Sequence, residues 1–442
     1  MLVNIMRDEI SITEKIQLLS KKSVNLEKFS TLDVSIKNNH AFPRLVTKTN
    51  KQNKMFYPLA QSTWDEEEHH AIIQQLNTGQ LTMGKKVENF EKDFANFVGT
   101  KYAIMVNSGS SANLLIVSAI TLLAKYDFKK GDEIIVPALG WSTSFSPFTQ
   151  YGIKLKFVDI DDQTLNIDPE KIKNAISKKT KAVLAINILG NPVEFNKLKK
   201  ICESHKLILI EDNCESLGAK YNSKFAGTFG VAASHSFFFS HHIQTIEGGM
   251  ITTNDKDIFE YSRSLRAHGW TRDMLKKNYS NKSPSEKFHN QFKFILPGYN
   301  LRPNELNGVV GSVQLRKLPT FLKVRRENSN LFKSLFSDKS YCKIQKCDHD
   351  SSWYGFSLIL DGSLSGKRDQ VINQLYTSGI ETRPVVTGNF VKNPVCNFME
   401  HEVSGILTKT EKVDRNGFFV GNSHTNLENQ LFKLSETLKK LS

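Results

Sequence analysis

The sequence has few cysteines and no long apolar segment. Its 442 residues include five cysteines and no Cys-x-x-Cys pair, which is too sparse for a secreted disulfide scaffold. No apolar stretch is long enough to span a bilayer, and residues 1–20 mix charges with short apolar runs, unlike a signal peptide. These absences predict a soluble, cytoplasmic protein without a membrane partner or a metal site. The cysteines are Cys202, Cys214, Cys342, Cys347 and Cys396.

Positive charge exceeds negative charge in this chain. The 59 Lys and Arg residues against 45 Asp and Glu residues give a formal net charge of +14. Such an excess suggests an anionic partner, such as a nucleotide diphosphate, a nucleic acid or a lipid surface. Long basic blocks interleaved with aromatic residues do not occur. We therefore assign the excess to solvated surface and a basic substrate mouth, and expect no nucleic-acid partner.

Strand and helix patterns alternate from residue 55 onward. Apolar strand segments are predicted at residues 133–138, 155–159, 182–188 and 207–211, and helices lie between them. This alternation predicts an α/β fold with a mostly parallel central sheet and helices on both faces. In such sheets, ligands bind at the carboxyl ends of the strands.

Composition divides the chain into three parts. Residues 1–54 are rich in Lys, Asn and Ser and show weak periodicity, which predicts an N-terminal extension of unknown role. Residues 55–322 carry the alternating pattern and predict a large domain. From residue 323 the pattern changes to a strand at 353–360 and a helix at 367–378, which predicts a smaller C-terminal α+β domain over residues 323–442.

A first chemical motif opens an apolar helix. Residues 107–111 read Asn-Ser-Gly-Ser-Ser, with Gly109 and Ser110 at the helix start. Glycine allows the backbone to approach an anion, and the hydroxyls and free N–H groups favour a phosphate. An ordinary serine N-cap has the same composition, so the motif alone leaves both interpretations open.

Two further motifs lie next to predicted strands. Residues 211–215 (Glu-Asp-Asn-Cys-Glu) end an apolar strand, where Asp212 could pair with a protonated pyridine nitrogen or serve as a turn residue. Residues 137–143 contain Trp141, whose flat face could stack on a pyridine ring with about 1 kcal/mol beyond area burial. A tryptophan of the core would fit this loop equally well.

A histidine pair follows a predicted strand. Residues 236–242 read Ser-Phe-Phe-Phe-Ser-His-His, and Glu-Gly-Gly follows at 247–249. The imidazole of His241 can transfer protons near neutral pH. Taken alone, such a pair fits a core or surface histidine, or half of a metal site that would need further ligands.

In this order, the motifs resemble those of the DegT/DnrJ/EryC1/StrS family of sugar aminotransferases, from about residue 55 to the C-terminus. That family carries Ser-Phe-x-x-x-Lys before the Gly-Gly turn, and its lysine holds pyridoxal 5'-phosphate (PLP) as a Schiff base. His241 replaces that lysine here. The resemblance implies an aspartate aminotransferase-like (type I PLP) fold and a cofactor, PLP or pyridoxamine 5'-phosphate (PMP), that is held without a covalent bond.

Further motifs resemble one branch of this family. They are Arg-Ala-His-Gly-Trp-Thr-Arg-Asp at 266–273, Leu-Pro-Gly-Tyr-Asn-Leu-Arg-Pro at 296–303, Glu-Thr-Arg-Pro at 381–384 and Phe-Val-Gly-Asn at 419–422. The resemblance implies PLP- and glutamate-dependent removal of the C3 hydroxyl of a nucleotide-linked 4-keto-6-deoxy sugar, GDP-4-keto-6-deoxy-D-mannose in the best match. The product would be a 4-keto-3,6-dideoxy sugar for colitose-type surface polysaccharide, and the enzyme a lyase.

The resemblance also implies a role for each matched residue. His241 would be the catalytic acid and base, and Asp212 would hold the pyridine nitrogen. Asn300 would reach the cofactor phosphate from the neighbouring subunit of a homodimer with shared active sites. The other cofactor-binding residues would be Gly109, Ser110 and Ser236 at the phosphate, Trp141 stacked on the ring, and Glu215 nearby.

The implied substrate site takes two ligands. His268 and Arg302 match the family's contacts to L-glutamate, the amino donor. The matches to nucleotide-sugar contacts are Gly79, Gln80, Leu81, Thr82, Arg272 and Glu381, and Trp141 is placed beside the substrate as well.

Three alternatives stay open at the level of the sequence. A nucleotide-sugar 4-aminotransferase or a CDP-sugar 3-dehydrase could share this fold, although the second needs iron–sulfur ligands that the cysteine spacings do not offer. A non-catalytic relative could bind a nucleotide sugar. Retention of Asp212, Trp141 and Ser236 together argues against that relative, because a binding protein does not need an electron sink.

Overall fold

A central β-sheet dominates the computed structural model, which describes residues 55–271, 283–290 and 292–442. The predicted extension at 1–54 and the predicted substrate residue Arg272 lie outside the described residues. The strands are β1 (Tyr102–Val106), β2 (Glu133–Pro137), β3 (Lys154–Val158), β4 (Thr180–Ile186), β5 (Ile208–Asp212), β6 (Lys220–Tyr221), β7 (Lys224–Phe225), β8 (Ala232–Ser236), β9 (Gly249–Thr253), β10 (Cys342–Ile344), β11 (Gly355–Leu360), β12 (His401–Val403) and β13 (Gly417–Gly421).

Helices separate most of these strands along the chain. Several begin at a side-chain cap, as where Ser108 accepts a hydrogen bond from the N–H of Ser111. The helices are α1 (Glu66–Asn77), α2 (Lys85–Val98), α3 (Gly109–Leu122), α4 (Ser142–Gln150), α5 (Pro169–Ala175), α6 (Phe195–His205), α7 (Lys256–Arg266), α8 (Pro284–Asn290), α9 (Glu305–Phe336), α10 (Arg368–Thr377), α11 (Thr408–Asn416) and α12 (Glu428–Leu441).

The large sheet has eight strands in the order β1-β9-β8-β5-β4-β2-β3-β12. Strand β9 runs antiparallel to both neighbours, whereas the pairs from β8 to β12 are parallel. Side chains of β4 alternate between two apolar clusters: Ala182 and Leu184 join one, and Val183 and Ala185 join the other. Helices α3 and α4 contribute to the first cluster and α5 and α6 to the second, so both faces are covered. The predicted fold class is confirmed.

A small antiparallel sheet, β10-β11-β13, lies in the C-terminal part. Its apolar cluster joins Phe356 and Leu431 to Phe332 and Phe336, which belong to the second half of α9. Helix α9 is 32 residues long and contains the boundary predicted between residues 322 and 323. Strand β12, from the C-terminal part, pairs with β3 of the large sheet. The division into 55–322 and 323–442 stays a prediction.

Within the described ranges, none of the helices combines the length and apolar character that a membrane span requires.

Candidate active site

A cavity of about 330 Å³ opens where the carboxyl ends of β5 and β8 meet the start of α3. This is the edge of a parallel sheet at which ligands are expected. The predicted residues that line this cavity are Gly109, Ser110, Trp141, Asp212, Glu215, Ser236 and His241. Lysine is absent among the described residues that line it.

The start of α3 forms an anion cradle. A Cβ added at Gly109 would lie 2.7 Å from Cβ of Ser236 and 2.9 Å from Sγ of Cys214, so only glycine allows this contact. The hydroxyls of Ser110 and Thr143 lie 2.8 Å apart beside it. Backbone N–H groups of the first helical turn and these hydroxyls provide several donors at one point, which suits a phosphate.

Asp212 is buried and held by three donors. Its Oδ2 accepts hydrogen bonds from Nδ2 of Asn113 at 2.9 Å and from Oγ of Ser144 at 2.6 Å. Its Oδ1 accepts from the N–H of Cys214 at 3.1 Å. Asn113 lies four residues after Gly109 on the same face of α3, so one helix positions both the cradle and the carboxylate.

His241 lines the cavity as a neutral base. Burial lowers the pKa of its imidazole to about 4, against the opposing effect of the Asp212 charge. Nδ1 lies 3.5 Å from Oγ of Ser240, which in turn lies 2.8 Å from the hydroxyl of Tyr354. An imidazole without its extra proton at neutral pH can accept a proton from a ligand in the cavity.

His242, the second histidine of the pair, belongs to the core. Its side chain is buried, and Nε2 lies 3.1 Å from the carbonyl oxygen of Ser352. Burial lowers its pKa well below the usual range. The histidine pair thus divides into one residue that faces the cavity and one that packs behind it.

Glu215 reaches the cavity from the turn after β5. Its Oε2 accepts a hydrogen bond from the N–H of Leu189 at 2.9 Å. Burial, together with the charge of Asp212, raises the pKa of Glu215 to about 7. Tyr354 also lines the cavity, and burial followed by the Glu215 charge raises the pKa of this phenol to about 12.

The other predicted residues that the structure describes are not among those that line this cavity. Nε of Arg302 donates to Oδ1 of Asn300 at 3.0 Å, and its guanidinium lies 5.9 Å from the ring centre of Trp270. The ring of His268 is 4.8 Å from that of Trp270. These three predicted residues therefore form a separate group around Trp270.

Glu381 and residues 79–82 are also separate from the cavity. Oε2 of Glu381 accepts a hydrogen bond from the N–H of Leu59 at 3.0 Å. Residues 79–82 connect α1 to α2, and Thr82 forms a single β-bridge with Asn304. Their predicted roles toward a substrate stay predictions.

Several lining residues were not predicted. Asn113, Ser144 and Cys214 surround Asp212, and Tyr354 and Arg383 approach from the C-terminal part. Arg383 lies within the motif at 381–384, so the sequence did contain a signal that could have identified it as a lining residue. For Tyr354 we find none, because its contact with Ser240 joins residues 114 positions apart.

Comparison with known proteins identifies a family and a relative whose matched regions include the cavity. Residues 62–429 match the DegT/DnrJ/EryC1/StrS aminotransferase family. A GDP-4-keto-6-deoxy-D-mannose 3-dehydratase of Yersinia pseudotuberculosis is 48% identical over 386 residues, which cover 87% of this chain and 98% of that relative. The matched range contains every residue that lines the cavity.

Two solved structures are similar over most of the chain. The Escherichia coli GDP-4-keto-6-deoxy-D-mannose-3-dehydratase with bound hydrated PLP has a TM-score of 0.84 and 48% identity, and covers 87% of this chain and 99% of that one. A GDP-4-keto-6-deoxymannose-3-dehydratase with a trapped PLP-glutamate geminal diamine has a TM-score of 0.83 and 48% identity, with coverages of 86% and 100%.

Proposed function

This chain belongs to the DegT/DnrJ/EryC1/StrS aminotransferase family, and from that premise we propose that it removes the C3 hydroxyl of GDP-4-keto-6-deoxy-D-mannose, using PLP and L-glutamate. The observation that carries the proposal is His241, a neutral imidazole in the cavity at the position where the family's aminotransferases carry lysine. The product is a 4-keto-3,6-dideoxy sugar, suited to a colitose-type surface polysaccharide.

The cavity fits PLP on its own chemistry. The cradle at Gly109, Ser110 and Ser236 offers donors for a phosphate. A Cβ at position 109 would collide with Ser236 and Cys214, so glycine is needed for this arrangement. Asp212 would pair with a protonated pyridine nitrogen, and Trp141, whose side chain is 57% exposed, would stack on the ring. When bound, PLP supplies an electron sink and a carrier for the amino group of glutamate.

His241 determines the outcome of the reaction. Its imidazole can remove a proton from the cofactor's C4' carbon, but unlike a lysine amine it cannot bind the cofactor covalently or displace a product from it. Water must therefore release the product. The nitrogen leaves as ammonia, and the sugar leaves as a ketone that lacks its C3 oxygen.

We propose that the remaining predicted residues lie at the entrance of an active site formed by both subunits of a homodimer. Asn300, His268 and Arg302 would act in the cavity of the neighbouring subunit of a homodimer. Exposed aromatic side chains beside them support an interface, since Phe292 and Phe294 are 65% and 54% exposed and both pack near Trp270. Residues 79–82, Arg272 and Glu381 are proposed nucleotide-sugar contacts.

The test is a product analysis. Incubation with PLP, glutamate and GDP-4-keto-6-deoxy-D-mannose should give one ammonia and one 2-oxoglutarate per sugar consumed, and mass spectrometry should show a sugar without C3 oxygen and without nitrogen. His241→Asn should still bind PLP but release no ammonia, because the phosphate, stacking and pyridine contacts lie on other residues. A stable 4-amino sugar with its C3 hydroxyl intact would instead identify an aminotransferase.

A further inference from the structure

The ring of His241 lies between two aromatic side chains that also line the cavity. Its centre is 5.3 Å from that of Tyr354, at an interplanar angle of 55°, and 6.3 Å from that of Phe238, at 77°. The N–H of His241 donates to the carbonyl oxygen of Phe238 at 2.9 Å, which holds the backbone of this turn. Rotation of a histidine ring about its bond to Cβ is roughly twofold, and packing on two sides restricts it further. What remains to be decided is which ring nitrogen faces the cavity.

A chain of two hydroxyl groups makes that choice. Oγ of Ser240 lies 3.5 Å from Nδ1 of His241 and 2.8 Å from the hydroxyl oxygen of Tyr354. The first contact is long, but bonds between catalytic groups commonly tighten when the ligand complex forms. Among the described residues, none forms a hydrogen bond with Nε2 of His241. Nε2 is therefore the nitrogen that is left for a ligand in the cavity.

Backbone contacts hold Tyr354 in place from two elements. Its N–H donates to the carbonyl oxygen of Leu189 at 3.0 Å, and its own carbonyl oxygen accepts from Nη1 of Arg325 at 3.3 Å. A Cβ added at Gly190 would lie 2.7 Å from the backbone nitrogen of Tyr354, so this approach requires glycine. Burial raises the pKa of the phenol to about 12, so the phenol keeps its proton at neutral pH. The hydroxyl that reaches Ser240 is thus fixed in place and neutral.

Proton transfer requires one direction of this chain. To remove a proton from C4', Nε2 needs a lone pair, and the proton of a neutral imidazole then lies on Nδ1. Nδ1–H can donate to Oγ of Ser240 only if the serine's own proton points elsewhere, and the phenol oxygen of Tyr354 is an acceptor 2.8 Å away. The opposite direction, in which Ser240 donates to Nδ1, would put the proton of His241 on Nε2 and leave no base in the cavity.

We propose that Ser240 and Tyr354 are positioning residues that keep the ring proton of His241 on Nδ1 and its lone pair on Nε2, towards the cavity. This inference rests on the proposed function and deepens it. In the transfer, the C4'–H bond breaks, an N–H bond forms at Nε2, and the electron pair passes to the electron sink. His241 becomes an imidazolium whose Nδ1–H still donates to Ser240, so no oxidant or reductant is consumed.

A first experiment determines the tautomer of His241 in the full-length protein loaded with PLP. NMR correlation of ring protons with ring nitrogens, in protein that carries isotope-labelled histidine, should show a protonated Nδ1 and an unprotonated Nε2 at neutral pH. The signals of His241 are those lost in His241→Asn. In Tyr354→Phe the serine proton loses its acceptor, so the two tautomers should mix. Tyr151→Phe is the matched control, because it also removes a hydroxyl that lies 2.8 Å from another, that of Tyr299, but does not line the cavity.

A second experiment measures the consequence for the reaction. The single-turnover rate of 2-oxoglutarate formation from glutamate and bound PLP should fall about 10-fold in Ser240→Ala and in Tyr354→Phe, the usual effect of one lost hydrogen bond. The double variant should lose no more than either single variant, because both act through the same chain. Ser240→Thr keeps a hydroxyl and should retain most of the rate. Tyr151→Phe should keep the wild-type rate.

The outcomes distinguish this inference from the proposed function. If wild-type protein forms no 2-oxoglutarate, the proposed function is wrong, while the tautomer still tests the hydroxyl chain because it is measured without turnover. A ring proton on Nε2 of wild-type His241 would overturn the inference. Additive losses in the double variant, or wild-type rates in both single variants, would overturn it as well. Should a variant fail to fold, the wild-type spectrum decides alone.

Discussion

At the scale of single residues, the carboxylate of Asp212 is held in one orientation by the protein itself. Donors from α3, α4 and its own turn fix both carboxylate oxygens. Such preorganisation means that the protein does not have to reorient this charge during the reaction. In the proposed role, this carboxylate would keep the pyridine nitrogen of the cofactor protonated. Removing one partner of a buried charge pair costs on the order of 3–5 kcal/mol.

Replacing Asp212 with asparagine should remove this charge and keep the shape. We expect Asp212→Asn to fold and bind PLP but to lose most of its rate of proton exchange at the C4' carbon of PMP, measured by deuterium wash-in. Ser144→Ala is the matched control, since it removes one donor and leaves the charge, and its loss should be smaller. Near wild-type turnover in cofactor-loaded Asp212→Asn would refute the electron-sink role.

The sequence predicted seven residues that line the cavity but did not predict the residues that hold them in place. The seven predicted residues at the cavity belong to short motifs beside strands, where local order determines position. Asn113 and Ser144 donate hydrogen bonds to Asp212, and the hydroxyl of Tyr354 bonds to Ser240 beside His241. Such contacts are formed by packing between distant segments. The contact of Tyr354 with Ser240 spans 114 positions and leaves no local pattern.

At the scale of elements, the start of α3 packs so closely against its neighbours that there is no room for a side chain at Gly109. Gly109 touches Ser236 and Cys214, so the helix, β8 and the turn after β5 meet without a side chain between them. A methyl group there must move one of these three segments. The proposed phosphate cradle depends on this contact.

Gly109→Ala should therefore disturb both packing and binding. We expect a loss of about 1–3 kcal/mol in the free energy of unfolding, and weaker PLP binding, measured by denaturant unfolding and by fluorescence titration. Ser110→Ala adds no atoms at this contact and serves as the control, so it should keep the stability and weaken binding alone. An unchanged stability in Gly109→Ala would show that the contact can relax.

Periodicity predicted strands close to β2, β3, β4 and β5, but it did not predict several other elements, among them α9, β1 and β12. The buried side of α9 includes polar residues such as Asn307, Gln314, Arg325 and Asn328, so its inward face does not appear as an apolar stripe. Strand β12 has three residues and pairs only at the sheet edge, where a short segment gives little signal. Tertiary contacts, more than local sequence, determine these elements.

At the scale of the whole molecule, a shared site makes a specific prediction. If Asn300 serves the neighbouring cavity, a mixture of His241→Asn and Asn300→Ala proteins, each inactive or nearly so, should regain activity after subunit exchange. Half of the dimers would be hybrids, each with one intact site, so about a quarter of the wild-type activity should return. Two co-purified His241→Asn preparations with different tags are the control. Exchange without recovery would place Asn300 in its own chain's site.

Helix α9 links the packing of the large sheet to that of the small sheet. It is continuous over 32 residues, about 48 Å at 1.5 Å per residue, and contacts α1 and α2 as well as α12 and β10. Pro319 lacks one backbone hydrogen bond, but the adjacent Leu318 and the nearby Leu322 are buried in the core. A continuous helix that is packed along its length resists bending between the two sheets. A nucleotide-sized ligand would therefore enter and leave by loop displacement rather than by two lobes swinging apart about a hinge.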